Sequence, residues 1–157
     1  MDFVKPFNGD PQDGHLSTPI SDSAIVRAFI SNLPINRKGL SPITRGLEVG
    51  LAHGYFLVGP QILLGPGRDY AADPYLAALI TAVSIVVLGT ISLNAHGIVS
   101  RKSAAESPAG TPTLLTSEGW SEFAGGFFVG GSGGAFFAYF LLDKFSSIDA
   151  IFRGLVN

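Results

Sequence analysis

Hydrophobic and polar positions along this chain fall into long blocks rather than a mixed pattern. Between Asp73 and Arg101 runs "PYLAALITAVSIVVLGTISLNAHGIVS", without a single charge, and longer than the roughly 20 residues a helix needs to cross a bilayer core. Between Glu122 and Asp143 lies "FAGGFFVGGSGGAFFAYFLL", about long enough to cross once. Ile43 to Leu64 forms a third apolar stretch, interrupted only by Arg45, Glu48 and His53. Helices buried in soluble proteins rarely run this long without a polar stripe. The pattern therefore predicts an all-α membrane protein, with transmembrane helices over residues 43–64, 75–99 and 123–142.

The segments around these blocks have a different character. Residues 1–21 are rich in Gly, Pro, Asp and Ser and read as an extended surface arm. Residues 22–33 place Ile25, Ala28, Phe29 and Leu33 on one face, with Asp22 as the expected N-cap and Pro34 as the stop. That is a short amphipathic surface helix, suited to a membrane surface, a partner or the protein's own spans. The two inter-span loops are too short for a further domain. The second, with its Ser, Pro, Gly and Thr, reads as a flexible link. The whole chain, 1–157, is expected to be one membrane domain ending in a tail over 143–157.

Charge sets the expected orientation. Lys5, Arg27, Arg37, Lys38, Arg45, Arg101 and Lys102 belong to one side, against Arg68, Lys144 and Arg153 on the other. The positive-inside rule then makes the amino terminus cytoplasmic and the carboxyl terminus distal. The amino terminus lacks a basic segment followed by an apolar one, so no cleavable signal is expected there. The absence of cysteine excludes disulfides, cysteine-held iron–sulfur clusters and c-type haem. A net charge of −2 with no basic stripe argues against nucleic acid.

Glycine adds a packing signal. Gly46, Gly50 and Gly54 recur at four-residue spacing in the first span, as do Gly126, Gly130 and Gly134 in the third, with Gly125, Gly131 and Gly133 beside them. Such rows let a helix or a flat ligand approach the backbone closely. Phe127, Phe128, Phe136, Phe137 and Tyr139 border the third row, offering ring faces to lipid or to an apolar cofactor.

The ionisable residues carry the candidate chemistry. Arg45 can snorkel to the boundary or pair with Glu48. His53 lies about 15 Å into its span, where an imidazole is either hydrogen-bonded to a neighbouring helix or a metal ligand. Glu48 and His53 stand about 140° apart around a helix, so each needs its own partner. A haem-binding electron carrier using His53 and His96 is the alternative reading, yet His96 lies some 8 Å shallower. A polar path along Arg45 and Glu48 would suit a transporter, but no internal repeat supports one. A magnesium tetrapyrrole takes one axial ligand per metal, and Mg²⁺ accepts a carboxylate as readily as an imidazole. His96 sits beside Asn94 and Ser92, a setting for hydrogen bonding or, less readily, ligation. His15, in the polar arm, reads as a solvated surface residue. No phosphate loop or catalytic triad spacing appears, so no enzyme activity is expected.

Three segments, "VKPFNGDPQDGHLSTPISDS", "NLPINRKGLSPITRGLEVGLAHGYFLVGP" and "LGPGRD", closely resemble the photosystem I reaction centre subunit XI (PsaL) family over roughly residues 4–69, and the later spans agree in layout. The resemblance implies a non-catalytic thylakoid subunit that carries antenna chlorophyll and contacts β-carotene. It implies photosystem I subunits, lipids and copies of itself at an oligomer axis as partners, with the carboxyl end lumenal. It further implies that Glu48 and His53 are axial ligands to chlorophyll magnesium. Asp69 matches a family aspartate associated with calcium at the oligomer contact. His96 matches no family ligand.

Overall fold

A computed structural model describes residues 5–6, 16–18, 20, 23–69 and 72–155. His15 and Asp22, and most of the expected arm, lie outside these residues. The chain divides into two compact units, Met1–Gly39 and Leu40–Asn157.

In the first unit, β1 (Lys5–Pro6) pairs antiparallel with β2 (Leu16–Ser17). Helix α1 spans Ala24–Asn32. Its N-cap is Ser23, whose hydroxyl accepts the Val26 N–H at 3.3 Å, and not the Asp22 expected from the sequence. Both residue types cap well, so the choice turns on one residue of register. Ile25 and Phe29, one turn apart, are both exposed and give this helix an apolar face.

The second unit holds α2 (Pro42–Leu64), α3 (Pro74–Ser100), α4 (Ser117–Lys144) and α5 (Ser146–Phe152). By length and apolarity, α2, α3 and α4 are each able to cross a membrane. Ser41 and Asp73 cap α2 and α3, with a proline in each first turn, where its missing N–H costs nothing. Within α3 the hydroxyls of Thr81, Ser84, Thr90 and Ser92 donate to carbonyls four residues back. These four hydroxyl hydrogens are thereby satisfied inside the helix and need no partner in hydrocarbon.

Helix α4 begins at Ser117, six residues before the uncharged block. Thr116 accepts the Gly119 N–H at 3.2 Å and donates to the Thr113 carbonyl at 2.7 Å, which starts the helix ahead of its apolar part. The preceding loop is not the flexible link its composition suggests. It contains short 3-10 turns at Ala104–Glu106 and Thr113–Leu115. It is also tied to α4 by Ser117 N–H donating to the Lys102 carbonyl at 3.1 Å and Ala104 N–H donating to Glu118 at 2.8 Å.

The glycine rows decide the packing. A Cβ placed on Gly46, Gly50 or Gly54 would run into the carbonyls of Phe123, Phe127 and Gly131. Reciprocally, one on Gly126, Gly130 or Gly134 would strike the carbonyls of Ile43, Leu47 and Leu51. Residue numbers rise together on both sides, so α2 and α4 run parallel, backbone against backbone. The Cα–H groups then face carbonyl oxygens, the arrangement of weak Cα–H···O bonds worth about 0.5–1 kcal/mol each. Helix α3 packs antiparallel to α4, with Gly97 against Trp120, Gly89 against Phe127 and Val86 against Gly131. Toward the other end, Val58 and Ile62 of α2, Ala78, Leu79 and Ala82 of α3, and Ala135 and Ala138 of α4 close an apolar core. Gly125 and Gly133 have no neighbour within 4 Å, so these two face outward.

The carboxyl end folds back instead of trailing. Phe152 of α5 lies against Gly59, where an added Cβ would sit 3.1 Å from the ring. Arg153 donates to both Asp149 oxygens at 2.9 and 3.0 Å and to the Tyr75 hydroxyl at 3.1 Å. These bonds raise the Arg153 pKa further above its ordinary range and tie α5 to the start of α3.

Candidate functional site

His53 occupies the middle of α2, one position from the seam glycine Gly54, and its side chain is exposed on the outer surface. Nδ1 lies 2.7 Å from the carbonyl of Val49, one turn back. A carbonyl oxygen only accepts, so Nδ1 carries the proton, and the lone pair is left on Nε2. Of the two roles open to His53 in the sequence, hydrogen bonding to a neighbouring helix is not what the structure places there; the bond is to its own backbone. The ring also meets Phe127 of α4 at 5.8 Å between centroids, tilted by 60°. Beside it lies a shallow apolar cavity of about 230 Å³ lined by Ala52, His53, Phe56 and Leu57. An imidazole held by its own backbone through Nδ1, with Nε2 left to accept, can serve as a ligand to a metal macrocycle.

Glu48 is half-buried. The helical count puts it about 160° from both Gly46 and Gly50, on the side of α2 away from α4. Neither Arg45 nor Glu48 lacks a polar interaction, and the Arg45 Nε donates to the Leu40 carbonyl at 3.2 Å. Glu48 and His53 are not brought together, in keeping with their angular separation.

His96 lies one turn from the end of α3, exposed, with Nδ1 3.3 Å from the Ser100 hydroxyl. Its ring meets Trp120 of α4 edge-on at 4.6 Å and 70°. His53 packs on Phe127 and His96 on Trp120, seven residues apart on α4, which is about 10 Å along the axis. One haem cannot take both as axial ligands, and the haem alternative is set aside.

Asp69 accepts from Arg68 at 2.8 Å in an exposed pair. Among the described residues no group of three or more His, Cys, Asp or Glu is placed to hold a metal. Calcium needs six to eight oxygens, and Asp69 brings a single carboxylate.

Some of the residues that shape the site carry no signal in the sequence. The Val49 carbonyl is supplied by the backbone, and every helical residue has one. Phe127 and Trp120 become ring partners only through the registers that the glycines allow.

The family model described as Photosystem I reaction centre subunit XI matches residues 3–147. The photosystem I reaction center subunit XI of Trichodesmium erythraeum is 59% identical over 155 residues, covering 99% of this chain and 94% of that protein. Its counterpart in Synechocystis sp. is 58% identical, covering 98% and 96%. That of Thermosynechococcus vestitus is 54% identical, covering 99% and 98%.

Proposed function

The chain belongs to the photosystem I reaction centre subunit XI family, and from that premise we propose that it is a non-catalytic antenna and oligomerisation subunit of photosystem I in the thylakoid membrane. Its amino terminus faces the cytoplasm or stroma and its carboxyl terminus the lumen, as the distribution of Lys and Arg favours. It holds chlorophyll magnesium through His53 and Glu48, contacts β-carotene, and assembles with other photosystem I subunits, lipids and further copies of itself.

The observation that carries this reading is the bond from Nδ1 of His53 to the Val49 carbonyl, which leaves Nε2 as an outward acceptor. Chlorophyll, when bound, supplies light absorption and passes excitation to neighbouring pigments. The chain's part is geometric. Nε2 would hold the magnesium, while the Val49 carbonyl orients the imidazole and Phe127 braces the ring. Ala52, Phe56 and Leu57 give the macrocycle an apolar floor. Glu48 offers a carboxylate, a hard donor that suits magnesium, and its separate direction assigns it a second pigment. A cleft of about 310 Å³ between α2, α4 and α5, lined by residues such as Tyr55, Phe56, Leu141 and Phe152, has the apolar character a carotenoid requires. Outward-facing Gly125 and Gly133 offer a place for another helix to come close. Asp69 supplies one carboxylate for calcium only if other chains complete the shell.

The test is His53→Leu in the assembled complex. The expected result is one chlorophyll fewer per copy of this subunit, with pigment density lost at that position. Unchanged density there would overturn the assignment.

A further inference from the structure

We infer that His96 is the axial ligand of an additional magnesium tetrapyrrole, at the Arg101 end of α3, distinct from the pigments assigned to His53 and Glu48. This rests on the antenna reading above. An ionisable side chain on a membrane-spanning helix is costly and is kept where it has a task. His96 repeats the arrangement of His53. Each is exposed, each has Nδ1 engaged within its own helix, by Val49 or by Ser100, and each is braced by an aromatic ring of α4. In neither does Nε2 take a protein partner among the described residues.

The local sequence builds this arrangement. Gly97, next to His96, has no Cβ, and one added there would strike the stem of Trp120. The missing atom admits the indole, which meets the imidazole edge-on and holds its plane. Ser100 departs from its helix mates. Four other α3 hydroxyls donate to the carbonyl four residues back, whereas Ser100 is turned to the ring nitrogen at 3.3 Å. The Ser100 hydroxyl can accept from Nδ1–H, and in that tautomer Nε2 presents its lone pair outward, as a magnesium ligand must. Leu93 and Val99, three residues to either side, supply apolar surface on the same face. The depth difference from His53 rules out a shared metal, so a pigment on His96 would have its own ion.

The experiment compares photosystem I complexes carrying the unaltered chain, His96→Leu, His96→Gln or His53→Leu. Pigments per complex are read by extraction and chromatography, and positions by a density map. The expected result for His96→Leu is the loss of one chlorophyll per copy of this subunit, with the His53 pigment retained. Gln, whose amide oxygen can bind magnesium, restores the pigment. A full pigment complement in His96→Leu overturns the inference while leaving the His53 assignment standing. Pigment retained in both leucine variants overturns both. If His96→Leu does not accumulate, the map of the unaltered complex decides: a macrocycle centred on Nε2 supports the inference, and water or lipid there refutes it.

Discussion

Replacing Gly50 by Ala tests the α2–α4 seam directly. The new methyl would sit 2.8 Å from both the Gly131 nitrogen and the Phe127 Cα, and would collide with the Phe127 carbonyl. All three are backbone atoms, so no side chain can rotate away and the helices must separate. Overpacking of this kind costs about 1–3 kcal/mol, and with no rotamer relief the upper end is expected. Gly125→Ala is the matched control. Nothing lies within 4 Å of its added Cβ, and the helix gains up to about 1 kcal/mol of intrinsic propensity. Gly50→Ala gains the same propensity, so the contrast is the overpacking alone, about 3 kcal/mol, or roughly two orders of magnitude in the equilibrium between packed and separated helices. Dyes at Leu64 and Lys144, at the same end of α2 and α4, would report separation by energy transfer during denaturant titration in micelles. Equal midpoints for Gly50→Ala and Gly125→Ala would refute the seam.

Gly130→Leu is expected to fail more severely than Gly50→Ala, because Gly130 faces the Leu47 carbonyl; near-normal accumulation of the subunit on a gel would contradict this. Thr116→Ala should cost about 1 kcal/mol through the lost N-cap, with faster hydrogen exchange over 113–119; unchanged exchange would remove the cap from the account. Arg153→Ala removes the pair with Asp149 inside α5 and the link from α5 to Tyr75, partly exposed contacts worth about 1 kcal/mol. Limited proteolysis should then cut within 146–152 earlier than in the parent chain, and equal cutting times would show that apolar packing alone holds α5. Asp69→Asn should leave the stability of the isolated chain within about 0.5 kcal/mol, read as an unchanged melting temperature.

The membrane-spanning helices were legible because charge brackets apolar blocks, as Asp73 and Arg101 do around α3. The start of α4 was hidden because Thr116 and Glu118 act through hydrogen bonds to a loop, and hydropathy does not register those. Four-residue glycine spacing announced close packing without naming the partner. Only the opposing rows at Gly46–Gly54 and Gly126–Gly134 show that both were used on each other, which left Gly125 and Gly133 outward. At the candidate site, His53 and Glu48 could be found as costly groups in an apolar stretch. The imidazole tautomer could not, since it depends on where Nδ1 points. His96 reads as a hydrogen-bonding residue because its neighbours are polar, and it does meet the Ser100 hydroxyl; its contact with Trp120, twenty-four positions away, has no local signal.

The parallel pairing of α2 with α4 also imposes an order on biogenesis. The two rows of glycine belong to the first and last spans to leave the ribosome, with α3 made between them. Until α4 is inserted, α2 waits in the bilayer with a bare strip of main chain turned to lipid, while α3 lacks Trp120, Phe127 and Gly131, which it packs against. A chain halted before Ser117 would therefore leave uncovered the very surface that defines the finished subunit.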